Sequence, residues 1–265
     1  MTKILITGSS GYIGSCLNKF FKDNRNIYLL DKDSPKQFDK IKNPFFKCDL
    51  TNIKKLEIIL SKVKPDIIIH LAARSTVNQK IKKKNYMFNN VLATQNLIFL
   101  MKKLKINKII FSSTAAVYAK NSKFLNEKQK LKPISNYGKS KLIAEKLIKN
   151  NKNIKYVILR FFNVSGCIVK PLLGEFHNPE THLIPISVYS AVNEKKINIF
   201  GNNYETKDGT CVRDYVHVKD ICSAIKNSIR FLKKNKSTIV NIGNGKGTSN
   251  NEVILKLKKI IKKNI

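Results

Sequence analysis

Apolar residues fall along this chain in short unbroken runs and in longer periodic stretches, and the two kinds alternate. Ile4-Leu5-Ile6-Thr7 reads as a buried strand, and the segment through Leu17, Phe20 and Phe21 as a helix. Ile27 to Leu30 gives a second strand and Phe45-Phe46 a short third. A helix from about Asn52 to Ser61 precedes a fourth strand, Ile67-Ile68-Ile69-His70, which opens after Pro65. A long helix is predicted from about Asn85 to Leu104, with Phe88, Val91, Leu92, Leu97 and Leu100 on its buried face. Strand five runs from Lys108 to Phe111, a helix carries Tyr137, and strand six runs from Lys155 to Arg160. Strands without polar alternation, separated by helices, predict an α/β protein built on a doubly wound parallel sheet.

Polar candidates collect where these strands end. Gly8, Asp31, Asp49, Ala72, Thr114 and Asn163 each follow a predicted strand, and such sheets bind ligands outside the carboxyl ends of their strands. Gly8-Ser9-Ser10-Gly11-Tyr12-Ile13-Gly14 lies between strand and helix, where glycines let the backbone approach a pyrophosphate held on the helix N-terminus. Asp31 stands close to the spacing of roughly 20 residues expected for a carboxylate on an adenosine ribose, which favours NAD over NADP. Leu71-Ala72-Ala73 offers small residues where a cofactor would lie against the backbone. In Tyr137-Gly138-Lys139-Ser140-Lys141 a helix would set Tyr137 and Lys141 one turn apart on one face. A phenol titrating near ~10 is a poor proton acceptor, and a fixed positive charge lowers that value, so the pair predicts a general base beside a nicotinamide.

Composition narrows the remaining classes. With 265 residues and 42% of them hydrophobic, the chain can bury a large domain and a smaller lobe. It enters its first strand without a targeting segment, and no apolar run approaches the ~18 residues of a membrane span, so the expected location is the cytoplasm, with no membrane partner. The net charge of +34 comes from lysines spread over the whole length, which reads as compositional drift on solvated faces and predicts no specific nucleic-acid partner. Five cysteines without C-x-x-C spacing and four scattered histidines predict free thiols and no metal. His70, ending a buried strand, is expected to be a structural histidine.

The glycine turn at 8 to 14, Ser112-Ser113-Thr114 and Tyr137-x-x-x-Lys141 resemble the extended short-chain dehydrogenase/reductases. The run from Ile199-Phe200-Gly201-Asn202 through Asp208-Gly209-Thr210-Cys211-Val212-Arg213-Asp214-Tyr215-Val216-His217-Val218 resembles, nearly position for position, the signature of the UDP-glucose 4-epimerases. The resemblance implies a Rossmann-type NAD-binding domain over 1–163 and a substrate-binding lobe over 164–265, with segments returning to the first domain. Gly8, Gly11, Tyr12, Ile13 and Gly14 would hold the NAD pyrophosphate, Asp31 the ribose, and Asp49 with Leu50 the adenine. Leu71, Ala72, Ala73, Asn90 and Phe162 would line the nicotinamide half. Tyr137 would be the catalytic base, Lys141 would hold the nicotinamide ribose and depress the tyrosine pKa, and Thr114 would bond the sugar hydroxyl. Asn163, His182, Leu183 and Arg213 would face a UDP-sugar substrate. The implied reaction is 4-epimerisation of a UDP-hexose through a transient 4-keto sugar, and dimers are common among members.

Three departures qualify this expectation. Arg74-Ser75-Thr76 stands where members often carry a lysine, and His182 where many carry asparagine. Members also continue for several tens of residues beyond the last helix, so the lobe is expected to be C-terminally truncated. A catalytically silent NAD-binding remnant, or another nucleotide-sugar dehydrogenase or reductase, therefore remains an alternative. Ala115-Ala116 after Thr114 supplies no acid or base for eliminating water, which disfavours dehydration.

Overall fold

Seven parallel strands form the main sheet, in the order β3-β2-β1-β4-β5-β6-β9. The structure is a computed structural model that describes residues 2–21, 24–35, 43–76, 82–119, 124–168, 173–175, 177 and 180–261. In chain order the first half runs β1 (Ile4–Thr7), α1 (Tyr12–Phe20), β2 (Ile27–Asp31), β3 (Phe45–Lys47), α2 (Ile53–Val63) and β4 (Ile67–His70). Then come α3 (Lys83–Tyr86), a π-helical segment over Met87–Leu92, α4 (Ala93–Lys103), β5 (Lys108–Thr114), α5 (Asn136–Lys149) and β6 (Lys155–Phe161). The second half adds β7 (Asn163–Ser165), α6 (Leu183–Val192), β8 (Val212–His217), α7 (Val218–Leu232), β9 (Thr238–Ile242), β10 (Gly247–Ser249) and α8 (Asn250–Ile261).

Alternation along each strand splits the core in two. Leu5, Leu30, Ile68, Ile109 and Ile158 pack under α2, α4 and α5, while Ile4, Ile6, Ile69, Ile110 and Leu159 pack under α1 and α7. Burial on both faces explains why the strands read as continuous apolar runs. Two elements from beyond residue 200 thus complete the main body: α7 covers one face, and β9 pairs with β6 from Val157↔Thr238 to Phe161↔Ile242. A small sheet, β10-β8-β7, flanks the carboxyl ends of the main strands.

The predicted long helix is present but not as a uniform α-helix. The π-helical segment over Met87–Leu92 widens it by one residue per turn, and Phe88, expected on the buried face, is 50% exposed. Val91, Leu97 and Leu100 are buried as their spacing predicts. The widened turn shifts the angular register, so one periodicity cannot describe both halves. Strand five also runs further than expected, through Ser112 and Ser113 to Thr114, since those hydroxyls find partners inside the fold.

Candidate active site

The strand order reverses between β1 and β4, and the crevice there is the place where a doubly wound sheet takes its ligand. Gly8 ends β1 with φ +73, and a Cβ on it would stand 2.5 Å from the Ala72 backbone nitrogen. Only a glycine lets the two strand ends approach this closely. Gly11 begins α1 without a side-chain cap, so the first-turn N–H groups face outward, as an anion site requires. The Ser9 hydroxyl is buried there without a partner among the described residues. Asp31 accepts bonds from the backbone N–H groups of Ser10 (2.9 Å) and Asp33 (3.2 Å), which set its carboxylate beside the glycine turn. Burial raises its pKa, and those backbone bonds oppose the rise. These features fit a dinucleotide.

Tyr137 and Lys141 lie in the first turns of α5, capped by Ser135, whose Oγ accepts from the Gly138 N–H at 3.0 Å. Gly138 itself is required: a Cβ there would collide with the Ala116 carbonyl. Lys141 is 2% exposed, donates to the Ser112 carbonyl at 2.7 Å and sits 4.7 Å from the Phe111 ring centroid. Burial lowers its pKa to about 7, and Glu145, one turn further on, opposes that shift. Tyr137 is half-buried, and desolvation pushes its pKa up to about 12, with the Thr114 hydroxyl pulling the other way. The expected depression of the tyrosine does not appear in this arrangement, because desolvation of the phenol is the largest influence on it and exceeds the opposing bond to Thr114.

A second layer holds this pair. Glu145 and Arg160, each 1% exposed, form a two-pronged ion pair, Nε to Oε1 at 3.0 Å and Nη2 to Oε2 at 2.7 Å. Ser113 donates to the same carboxylate, and Arg160 Nη1 reaches the Tyr118 hydroxyl at 2.9 Å. Tyr118 in turn donates to Asn241 on β9 at 2.7 Å. Sequence reasoning missed this network; its one signal was Glu145, four residues after Lys141 on the same helix face. His70 is structural, as expected: its ring nitrogens meet the Thr7 hydroxyl at 2.8 Å and the Thr94 hydroxyl at 3.0 Å. Burial lowers its pKa to about 3, so it stays neutral.

One cleft of about 1750 Å³ gathers nearly every residue singled out from the sequence. Gly8, Gly11, Tyr12, Ile13, Gly14, Asp31, Asp49, Leu50, Leu71, Ala72 and Ala73 line one part of it. Thr114, Tyr137, Lys141, Phe162, Asn163, His182, Leu183 and Arg213 line the rest. Asn90 is the exception. It is 2% exposed, one layer back in the π-helical turn, where it accepts from the Arg74 N–H at 2.7 Å and donates to Ser140 Oγ at 2.9 Å. Its role in the structure is to tie the strand-four loop to α5, because the widened turn draws the amide inward. Asp49 lines the cleft while its Oδ1 accepts from the N–H and hydroxyl of Thr51, both at 2.8 Å. The far wall comes from β8, with Arg213, and from the uncapped start of α6 at His182 and Leu183.

A glycine-cradled switch point with a tyrosine and a lysine on the same rim defines a dinucleotide-dependent α/β protein. The chain belongs to the NAD dependent epimerase/dehydratase family, whose model matches residues 4–243. It is 37% identical to a UDP-glucose 4-epimerase of Lactobacillus helveticus, with 97% of this chain and 81% of that protein covered. The UDP-glucose 4-epimerase of Brucella ovis, solved in complex with NAD, superposes with a TM-score of 0.89 at 32% identity, covering 98% of this chain and 82% of that one. The enzyme of Bifidobacterium longum, solved with NAD+ and UDP, gives 0.91 at 29% identity, covering 98% and 84%.

Proposed function

We propose that the protein is an NAD-dependent UDP-hexose 4-epimerase that interconverts UDP-glucose and UDP-galactose through a transient 4-keto sugar. The convergence of Thr114, Tyr137 and Lys141 on the rim beside the Gly8–Ala72 crevice carries this reading. The name shared by the relatives supports it. NAD would rest its pyrophosphate on Gly8, Gly11, Tyr12, Ile13 and Gly14, its ribose on Asp31, and its nicotinamide half along Leu71, Ala72, Ala73 and Phe162. Bound NAD supplies a reversible hydride acceptor at the sugar C4.

The chain's own groups manage the proton and the pose. Thr114 orients the sugar 4-hydroxyl, and Tyr137 in its ionised form takes that proton on oxidation and returns it on reduction, desolvation raising the pH at which that form is populated. Lys141, with a pKa near its switching point at about 7, holds the nicotinamide ribose. Asn163, His182, Leu183 and Arg213 anchor the UDP portion, with the free N–H groups of α6 facing its diphosphate. Inversion requires the keto sugar to present its other face, so the firm grip belongs on the nucleotide and the loose one on the hexose. A cleft of about 1750 Å³ leaves room for that turn beside a cofactor. Ala115 and Ala116 bring no acid or base next to Thr114, which disfavours the dehydratase branch of the family.

We assign the cofactor unit to 1–163 and the substrate lobe to 164–265, with α7 and β9 of the latter returning to the cofactor unit, place the protein in the cytoplasm, and take a homodimer as the assembly its resemblance to the family suggests. Among the described residues no helix is long and apolar enough to cross a membrane. The deciding experiment is conversion of UDP-galactose to UDP-glucose by the purified chain, followed by NMR, with Tyr137→Phe beside it. Loss of the base should slow turnover about 10²- to 10⁴-fold. NAD binding without conversion by either protein would identify a silent remnant and overturn the epimerase reading.

A further inference from the structure

In a chain with 51 basic and 17 acidic residues, two carboxylates and two of the four histidines lie within eight positions, from Glu175 to His182. Their side chains converge. His182 Nδ1 stands 2.6 Å from Glu175 Oε1 and His177 Nδ1 stands 3.7 Å from the same oxygen. Three donor atoms, one from each residue, lie within 4.8 Å of one another. Both Nδ1 atoms are buried, and each stands within ion-pair distance of Glu175 and of Glu180. With a proton on His182 Nδ1 the 2.6 Å approach is an ion pair with Glu175, and with that proton lost the same atoms face one another as lone-pair donors that a cation can take in the proton's place.

Glu180 explains why the histidines converge. Its Oε1 accepts from the N–H groups of Thr181 (2.8 Å) and His182 (3.0 Å), and its Oε2 from the N–H of His177 (3.0 Å). Those three bonds tie Glu180 to the backbone of His177, Thr181 and His182, and the His177 and His182 rings stand with centroids 5.4 Å apart. With its oxygens engaged by the backbone, Glu180 acts as the support, and Glu175 is the carboxylate that stands 2.6 Å from His182 Nδ1.

We propose that Glu175, His177 and His182 form a site for a divalent transition-metal cation of the zinc type in the wall of the cleft. Two imidazoles and one carboxylate match the borderline character of that ion. Bonds of about 2.1 Å in a tetrahedral site place donor atoms about 3.4 Å apart. The separations of 2.6 and 3.7 Å bracket that value and need only rotamer-scale adjustment. All three residues line the cleft, so the fourth position opens toward it and takes water or an anionic oxygen. The metal binds whether or not the cleft turns over a nucleotide sugar, so failure of one reading does not carry the other.

The test is calorimetric titration of ZnCl2 into the chelator-treated, NAD-loaded 265-residue chain, with the visible spectrum of a Co2+ complex as a second readout. One site per chain is expected, weakened at least about 100-fold by His177→Ala or His182→Ala and about 10-fold by Glu180→Gln, which acts only through its support of the ligands. The Co2+ complex should have the intense visible bands of four-coordinate nitrogen and oxygen ligation. Equal zinc affinity of wild type and the His177→Ala/His182→Ala double variant overturns the proposal. So does a sulfur charge-transfer band, which would move the ion to a thiol such as the exposed Cys167. Should a histidine variant fail to fold by circular dichroism, Glu175→Gln and the wild-type Co2+ spectrum decide, and a weak six-coordinate spectrum refutes the site.

Discussion

Replacing Lys141 by methionine should make the protein more stable while abolishing turnover. The ammonium is 2% exposed, and burial lowers its pKa from 10.5 to about 7. At about 1.4 kcal/mol per pKa unit, holding this charge in the folded state costs about 5 kcal/mol. Methionine keeps the aliphatic volume but leaves the Ser112 carbonyl without its 2.7 Å donor, a loss of about 1–2 kcal/mol. The net gain expected is about 3 kcal/mol. Its pH dependence is the sharper signature. Between the folded and unfolded values the unfolded chain binds the extra proton, so wild-type stability rises with pH across that window. The cost is fully present below about pH 7 and disappears as pH passes 10.5, so the advantage of Lys141→Met should shrink over the same interval. Urea denaturation of nucleotide-free protein, followed by circular dichroism at several pH values from 6.5 to about 10, measures it. A variant less stable than wild type at pH 6.5, or a gain that does not change with pH, refutes the reasoning.

Glu145→Ala strands the Arg160 guanidinium at 1% exposure, and a drop of about 3–5 kcal/mol is expected in the same denaturation assay, with much of it recovered in Glu145→Ala/Arg160→Met. Gly8→Ala combines φ +73 with a Cβ 2.5 Å from the Ala72 nitrogen, so nucleotide released on denaturing the purified variant should fall to near zero. His70 is held neutral with a pKa lowered from 6.5 to about 3, so native stability should fall as pH drops through that window. His70→Gln should flatten the acid limb of a stability–pH curve.

The rim of the sheet was legible because its strands are mostly apolar and the chain changes character at or just after their ends, at Gly8, Asp31, Ala72 and Asn163. Helix periodicity found α2 and α5 as well, and Asn52 stands at the N-cap of α2 with its side chain on the Lys55 N–H at 3.1 Å. What escaped were features set by tertiary approach. The π-helical turn that exposes Phe88 and draws Asn90 inward depends on Arg74 and Ser140, remote in sequence. The Glu145–Arg160 pair looks like two ordinary surface charges until β6 and α5 are stacked. Likewise, the spacing of Glu175, His177 and His182 matches no familiar metal pattern, and the three meet where Glu180 accepts from the N–H groups of His177 and His182. The direction of the Tyr137 shift was misjudged for a related reason: the helix spacing reveals the neighbouring charge but not the desolvation of both groups.

The return of β9 to the main sheet has a consequence for how the protein is made. On the ribosome, β6 emerges about 80 residues ahead of the strand that covers its edge, as the Val157↔Thr238 pairing requires. Until then Arg160 can reach Glu145 and Tyr118, but Tyr118 has no Asn241 to meet, and a row of unpaired strand amides stays open to other nascent chains. The nucleotide-binding half is therefore not an autonomous unit of synthesis, and its completion waits until the chain has been extended through Ile242.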